Sequence, residues 1–480
     1  YALQVTADEA RDTLVLEATF APDRMPYEHA DLFARQLEDS LRLLLEGGAC
    51  EASLCATVYP KPLEPDVSDT LLARFARHAQ DTPDATALTF ASSIEPYEGT
   101  VRSYLEIDTL SSRYAAHLAA SQDPAVYVHL PRCIDLYIVL LAAWKAHKVY
   151  VPLDPTLPLE RLQYMIQVVG AGTLVTHDTS LAVPLPRYTL AQLRQDSAWL
   201  PTVPRLDVPS YILFTSGSTG KPKGVQVSHR ALAAALLSWE RLLPHTRASR
   251  LLQLASPGFD VSLFEVCLPL GLGFSVATAP KDVLLTDLEA AFRALRITMA
   301  DLPAALAALV HPDHVPPLEW LMSGGDVIDE RVVRAWGAPP HRLINAYGPT
   351  EGTIGNTLGF VDGQTRRSVV GDVYPATALY ICGRDSFIAA YTGAVGEIVV
   401  GGPQVADGYV GAPDLTAAKF FTLPNGQRVY RTGDRGRLLA DGRVECLGRM
   451  ERGQVKVNGQ RVELDEIAHE LQLEAGVADA

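Results

Sequence analysis

The sequence predicts an α/β fold built on mostly parallel sheets, and three observations carry that expectation. Helical patterns alternate with short apolar strands through the middle of the chain. From Val369 onward the pattern shifts to short strands and Gly-rich turns, which predicts a β-rich subdomain. A length of 480 residues exceeds what one hydrophobic core serves, so two or more domains are expected.

Taken in order, residues 27–47 place Leu32, Phe33, Leu37, Leu41 and Leu44 at helical spacing and end in Gly47-Gly48, a plausible C-cap. Tyr59-Pro-Lys-Pro-Leu-Glu-Pro65 has three prolines within six residues, which predicts an extended linker and a domain boundary. Beyond it, Thr70–His78 and Ser111–Ala120 read as helices, and Ala125–Leu130, Tyr211–Phe214, Leu251–Leu254 and Glu397–Gly401 as strands. The chain stops at Ala480, just after a strand–turn–strand–helix pattern over Gln454–Leu471, so a small C-terminal domain is expected to begin there without being completed. Tyr1 to Arg11 carry acidic residues and no cleavable apolar core, so no signal peptide is visible and the start reads like the middle of something longer.

Composition excludes several classes of function. The formal net charge of −15 argues against nucleic acid, because phosphate binding needs a basic face, although a local basic site remains allowed. The longest apolar run, Leu136 to Trp144, is far short of a membrane span, so no membrane partner is expected. Cys50, Cys55, Cys133, Cys267, Cys382 and Cys446 are scattered, which fits neither a disulfide framework nor a zinc site. A reducing cytoplasm is the simplest compartment.

The most informative stretch is Tyr211-Ile-Leu-Phe-Thr-Ser-Gly-Ser-Thr-Gly-Lys-Pro-Lys-Gly224. A strand delivers small hydroxylic residues and glycines, followed by two lysines. Glycines let backbone N–H groups approach phosphate oxygens, hydroxyls donate further bonds, and lysine supplies charge. It is not a Walker A loop, because Lys221 precedes Pro222 rather than Ser or Thr. The bland alternative is a flexible Ser/Gly turn.

This loop resembles the phosphate-binding signature of the superfamily that joins acyl-CoA synthetases, adenylation domains of non-ribosomal peptide synthetases and luciferases. Further motifs follow in the family's order. They are Trp144-Lys-Ala-His-Lys-Val-Tyr-Val-Pro-Leu-Asp154 (with His147 and Lys148 in place of the usual glycines), Phe259-Asp-Val-Ser262, Asn345-Ala-Tyr-Gly-Pro-Thr-Glu351, Gly396-Glu-Ile-Val-Val-Gly401 with Gly408-Tyr409, Tyr430-Arg-Thr-Gly-Asp434, Gly448-Arg449, and Gln454-Val-Lys-Val-Asn-Gly-Gln-Arg-Val-Glu463. The resemblance implies an adenylate-forming enzyme fold, with two α/β subdomains, a β-rich subdomain and a small C-terminal α+β domain that is truncated. It divides the chain into a condensation-like tail and linker (1–58), an adenylation core (59–450) and the start of the C-terminal subdomain (451–480). For the tail, an ordinary amphipathic helix is the other reading.

The resemblance also implies roles. Glu351 holds Mg²⁺ against ATP oxygens, helped by Thr215 or a neighbouring hydroxyl, and Lys221 or Lys223 stabilises phosphate charge. Nucleotide contacts come from Ser216, Gly217, Ser218, Thr219, Gly220, Gly325, Asn345, Tyr347, Gly348 and Thr350, with Tyr347 against adenine. Asp434 and Arg449 hold the ribose. Asp260 anchors the ammonium of an α-amino acid, since a buried carboxylate needs a cationic partner; the alternative is that Asp260 caps the helix beginning near Val261. Val261, Phe264, Asp301, Met322, Gly324, Ala346, Ile354 and Gly355 form the rest of the pocket. Three small residues and a second acid there suit a long, polar, ornithine- or hydroxyornithine-like side chain. Ala255–Leu270, Met299–Leu302 and Trp336–Thr353 also look similar to fungal hydroxamate-siderophore synthetases. The implied reaction makes aminoacyl-AMP, then passes the aminoacyl group to a phosphopantetheine thiol on a peptidyl carrier domain of the same synthetase, beside a condensation domain. The family's distal Asn-Gly-Lys lysine is absent from these residues, and the hinge reads Gly448-Arg-Met-Glu451 with an apparent one-residue insertion before Gln454. An acyl-CoA or aryl-CoA ligase and a weakened nucleotide-binding scaffold remain the alternatives.

Overall fold

The computed structural model describes residues 62–66, 68–197, 206–216, 221–383, 392–423 and 426–450, with the strands Ala2–Asp8, Thr13–Thr19, Gln454–Val457 and Gln460–Glu463 and five isolated helical positions. Most of the 27–47 helix, the 217–220 loop, Glu451 and the 458–459 turn lie outside the described residues. Ala2–Asp8 and Thr13–Thr19 form an antiparallel hairpin, and Gln454–Val457 with Gln460–Glu463 a second. Residues 62–66 have no regular secondary structure, as their prolines predict, and Leu63 N–H donates to the Pro375 carbonyl at 2.8 Å.

Two large sheets organise the rest. One has seven strands in the order Gly408–Tyr409, Lys223–Ser228, Pro209–Thr215, Val149–Pro152, Ala125–His129, Gly172–Thr176 and Arg187–Tyr188. Its pairs are parallel except around Lys223–Ser228, which runs antiparallel to both neighbours. The second has fourteen strands. Its parallel part runs Thr86–Ser93, Ser275–Thr278, Arg250–Leu252, Met299–Asp301, Trp320–Gly324 and Leu343–Tyr347. At Thr357–Val361 the pairing turns antiparallel and continues through Val369–Val373, Val444–Arg449, Arg428–Leu438, Gly396–Gly401 and Ala378–Cys382. The β-rich region read from Val369 onward is therefore a continuation of the second sheet. Strand Val369–Val373 crosses very close to its neighbour at Gly371, where φ is 88° and a Cβ would lie 2.2 Å from Gly359 N, so only glycine fits.

Alternation along the strands assigns the layers. Val126, Val128, Tyr211 and Leu213 point to one core and Ala125, Tyr127, Leu174 and Ile212 to another. Likewise Leu251, Val276, Met299 and Trp320 share the first core, whereas Leu252, Ala277, Ala300 and Leu321 face a third. Helices Leu71–Asp81, Tyr104–Ala119, Ile134–Lys145, His229–Leu242 and Asp260–Leu272 all contribute to the shared core, so they fill the space between the sheets. Leu159–Val169 covers the outer face of one sheet, and Leu288–Leu295 with Glu330–Trp336 that of the other.

The apolar run Leu136–Trp144 is a helix buried on every side in this middle layer. No helix among the described residues is long and apolar enough to cross a membrane. The helix read at Ser111–Ala120 begins earlier, at Tyr104, because Ser103 and Glu106 form a reciprocal capping box. His147 takes the left-handed conformation (φ 57°) at the end of Ile134–Lys145, which is the geometry a glycine would supply there. Cys133 and Cys267 are free thiols.

Candidate active site

Proposed functional residues gather where the parallel strands of both sheets end, the usual place for ligands in open α/β folds. Thr215 closes strand Pro209–Thr215 and pairs with Lys223 across the hairpin. Among the described residues, its buried Oγ1 has no hydrogen-bond partner. The two lysines separate. Exposed Lys221 has its Nζ 5.8 Å from the Tyr164 ring, whereas half-buried Lys223 has its Nζ 5.4 Å from the Tyr409 ring. Gly217, Ser218, Thr219 and Gly220 lie outside the described residues, and Ser216 borders them.

Tyr409 connects this hairpin to the candidate metal acid. Strand Gly408–Tyr409 pairs with Val225 and Gln226, which brings the Tyr409 ring beside Lys223. Its hydroxyl donates to Glu351 Oε1 at 2.7 Å, and Ala406 N–H donates to the Glu351 carbonyl at 2.9 Å. Burial, then the Glu351 charge, pushes the Tyr409 hydroxyl far above the usual tyrosine range, so it stays a donor. Glu351 is fully buried in a single 3-10 turn, Thr350–Gly352. Thr353 (φ 60°) and Ile354 (φ 75°) follow in the left-handed region, which costs a β-branched residue roughly 1–2 kcal/mol each.

A buried carboxylate and a buried hydroxyl with no hydrogen-bond partner among the described residues are suitable donor types for Mg²⁺. Glu351 and Thr215 would supply hard oxygens. No group of three or more His, Cys, Asp or Glu forms a metal cluster among the described residues, so further ligands would be phosphate oxygens and water.

On the β-rich side, Asp434 and Arg449 face each other directly across adjacent strands. Asp434 Oδ1 accepts from Arg449 Nη1 at 2.9 Å, and Oδ2 accepts from the Tyr347 hydroxyl at 2.7 Å. The three residues assigned to the nucleoside thus form one hydrogen-bonded set. Asn345 is buried, and its Nδ2 donates to the Val369 and Arg367 carbonyls at 2.8 and 3.4 Å, so it bridges strands. Gly348 approaches the chain opposite so closely that a Cβ would lie 2.6 Å from Gly355 Cα. Gly325 is exposed, with φ 79°.

The amino-acid pocket assembles by strand register. Asp301 pairs with Met322 and Gly324 with Ala346, at the carboxyl ends of three adjacent strands. Phe264 packs edge-on against Trp239, ring centroids 5.0 Å apart. Asp260 is the first helical residue; the N-cap is Phe259, and Asp260 Oδ1 accepts from Val261 N–H at 2.9 Å. The capping alternative is thereby reduced to one local bond. Burial pushes Asp260 up to about 6, against hydrogen bonds from Thr350 and Val261, and the Glu351 charge adds to the rise. Burial, then Asp260, pushes Asp301 up to about 7, and burial, then Asp301, pushes Glu265 up to about 8. Among the described residues neither Asp260 nor Asp301 makes an ion pair. The pocket therefore holds negative charge that a cationic ligand would relieve.

Two glycines meet limits that sequence reasoning did not foresee. A Cβ at Gly324 would lie 2.8 Å from the Ala346 carbonyl oxygen, and one at Gly355 would lie 2.7 Å from Tyr374 Oη, so the Tyr374 ring bounds the room beside Gly355. Sequence reasoning also left Glu265, Tyr374, Gln404 and Tyr409 without roles. Only Tyr409 carried a signal, its place in the Gly408-Tyr409 motif.

The family description "AMP-binding enzyme" matches residues 75–410. Along its whole length the chain is 48% identical to part of the ferrichrome siderophore peptide synthetase of Mycosarcoma maydis, covering 12% of that protein. Over 95% of its length it is 34% identical to nonribosomal peptide synthetase 2 of Gibberella zeae, covering 10% of it. The chain thus spans about a tenth of the length of these relatives. A solved adenylation–PCP di-domain, artificially fused, from Klebsiella oxytoca matches with a TM-score of 0.77 and 26% identity, over 88% of this chain and 86% of that one.

Proposed function

The chain belongs to the AMP-binding enzyme family, the adenylate-forming enzymes, and from that premise we propose that it activates the carboxylate of an amino acid for non-ribosomal peptide synthesis. The observation that carries this reading is the pair Asp260 and Asp301, two partly buried carboxylates with no ion-pair partner among the described residues, at the mouth of the parallel strands. A fatty or aromatic acid offers such a site nothing positive; an α-ammonium, with a donor further along its side chain, offers two complementary groups.

In this reading Asp260 holds the ammonium, which aims the substrate carboxylate at the ATP α-phosphorus. A carboxylate oxygen bonds to that phosphorus as its bond to the pyrophosphate oxygen breaks, giving aminoacyl-AMP and pyrophosphate. Asp434, Arg449 and Tyr347 fix the nucleoside, and Lys223 or Lys221 with the 216–220 loop donors meets phosphate charge. Bound Mg²⁺ would neutralise charge between phosphate oxygens, with Glu351 and Thr215 as its protein ligands. A phosphopantetheine thiol on a carrier domain then attacks the acyl carbon and AMP leaves.

The likeness to a siderophore peptide synthetase supports an ornithine- or hydroxyornithine-like substrate, a carrier and a condensation domain as neighbours, and a cytoplasmic setting. The test is ATP–pyrophosphate exchange across a panel of amino acids, including ornithine and its N-hydroxylated and acylated forms. Exchange with a long polar amino acid supports the reading. CoA-dependent turnover of fatty or aromatic acids, with no amino-acid-dependent exchange, refutes it.

A further inference from the structure

Between the candidate metal acid and the pocket wall runs a short turn, Glu351 to Gly355, whose two β-branched residues both have positive φ. Backbone of this kind persists only where its surroundings over-determine it. Here one fully buried side chain, Gln404, touches the turn and ties it to two other segments. Gln404 Nε2 donates to the Gly355 carbonyl at 2.9 Å, and the Gln404 carbonyl accepts from Thr353 Oγ1 at 2.5 Å. Its Oε1 accepts from Ser238 Oγ and from Thr377 Oγ1, each at 3.1 Å.

The orientation of the carboxamide follows from chemistry. The Gly355 carbonyl can only accept, so the nitrogen must face it, and the two hydroxyls then donate to the oxygen. Ser238 lies on the middle-layer helix His229–Leu242, and Thr377 also accepts from Asn356 Nδ2 at 3.2 Å, while Asn356 donates to the Gly352 carbonyl at 2.9 Å. Two residues beyond Gln404, Ala406 N–H holds the Glu351 carbonyl. The strained turn is thus clasped at Glu351, Gly352, Thr353 and Gly355, and among the described residues Gln404 bonds both to it and to the two hydroxyls.

We propose that Gln404 is a positioning residue that locks this turn, so that the Glu351 carboxylate and the Ile354–Gly355 wall of the amino-acid pocket are set together. The catalytic part of this inference rests on the adenylation reading above; the clasp itself does not. Loosening the turn lets the metal acid and the pocket wall drift, whereas Asp434 and Arg449 stay held by the pairing of their own strands.

The experiment compares wild type with Gln404→Met, which keeps volume and loses the carboxamide, and with Gln404→Glu. Hydrogen exchange of amides 353–356 reads the clasp directly, whether or not any substrate is known. Pyrophosphate exchange reads its consequence. In Gln404→Met those amides should exchange at least about tenfold faster, while the amino-acid KM and the Mg²⁺ needed for half-maximal rate rise about tenfold and the ATP KM stays within about twofold. Gln404→Glu, whose protonated carboxyl can still donate to Gly355, should recover relative to wild type as pH is lowered; the Met variant should not. Thr377→Val, milder, should shift the same quantities in the same direction by about two- to fivefold if Gln404→Met fails to fold. Unchanged amide exchange overturns the clasp. Faster exchange with wild-type amino-acid KM and Mg²⁺ requirement overturns the positioning role. A wild type that exchanges pyrophosphate with no amino acid refutes the functional reading, and amide exchange then still decides the clasp.

Discussion

Asp260→Asn keeps the side chain's volume and its acceptor for Val261 N–H but removes its charge. If the carboxylate holds the substrate ammonium, the loss is that of one partner of a desolvated pair, about 2–4 kcal/mol, or roughly 30- to 1000-fold in dissociation constant. The pH dependence follows from the raised Asp260 pKa of about 6. The free site must be ionised to take the cation, and a bound cation lowers the pKa by the same energy, about 1.5–3 units. Wild-type affinity should therefore be flat above pH 6 and fall about tenfold per unit as pH drops from 6 toward the pKa of the complex. Asp260→Asn should lack that slope, so the gap between the two curves narrows about tenfold between pH 6 and 5. Calorimetric titration of the amino acid in the presence of a non-hydrolysable ATP analogue, from pH 5 to 7.5, gives both curves. Parallel curves, or a variant within threefold of wild type at pH 7.5, would refute the reasoning.

Glu351→Gln should cut Mg²⁺-dependent pyrophosphate exchange by about 10²–10³ with ATP affinity nearly kept, whereas Asp434→Ala, which strands Tyr347 and Arg449, should chiefly weaken ATP binding, by about 2–4 kcal/mol in calorimetry. For Asp301 the folded-state pKa is raised to about 7, so the folded state holds an extra proton between about pH 4 and 7 and stability falls as pH rises through that window. Asp301→Asn should accordingly raise the melting temperature at pH 8, by roughly 1 kcal/mol equivalent after allowing for its partial exposure, and leave it unchanged near pH 4. His147→Gly should stabilise the chain by about 0.5–1 kcal/mol in urea unfolding, because glycine adopts φ 57° without the steric cost.

The order and spacing of short motifs were legible because they are local. A loop that must bring backbone N–H groups and a lysine near phosphate is written in consecutive residues, and so is the Asp260 step at a helix start. The Ala125 to Leu130 strand was equally legible, but which of its side chains face which core was not, because the run is apolar throughout except for His129. Boundaries were less legible. The helix containing Ser111 starts at Tyr104 because Ser103 and Glu106 form a capping box there.

What the sequence by itself determined was the α/β class, the family, and the residue types able to meet ammonium, ribose, metal and phosphate, since each depends on chemistry carried within a few neighbouring positions. What only the tertiary structure decided was which groups meet across distance. It placed Lys223 rather than Lys221 beside Tyr409, whose hydroxyl bonds to Glu351, closed Tyr347, Asp434 and Arg449 into one set, put Tyr374 against Gly355, and clasped a strained turn with Gln404. Gln404 meets Gly355 and Ser238 from 49 and 166 positions away along the chain. No local pattern encodes such a partnership, because the free energy that selects it comes from satisfying buried polar groups after the sheets and helices have packed.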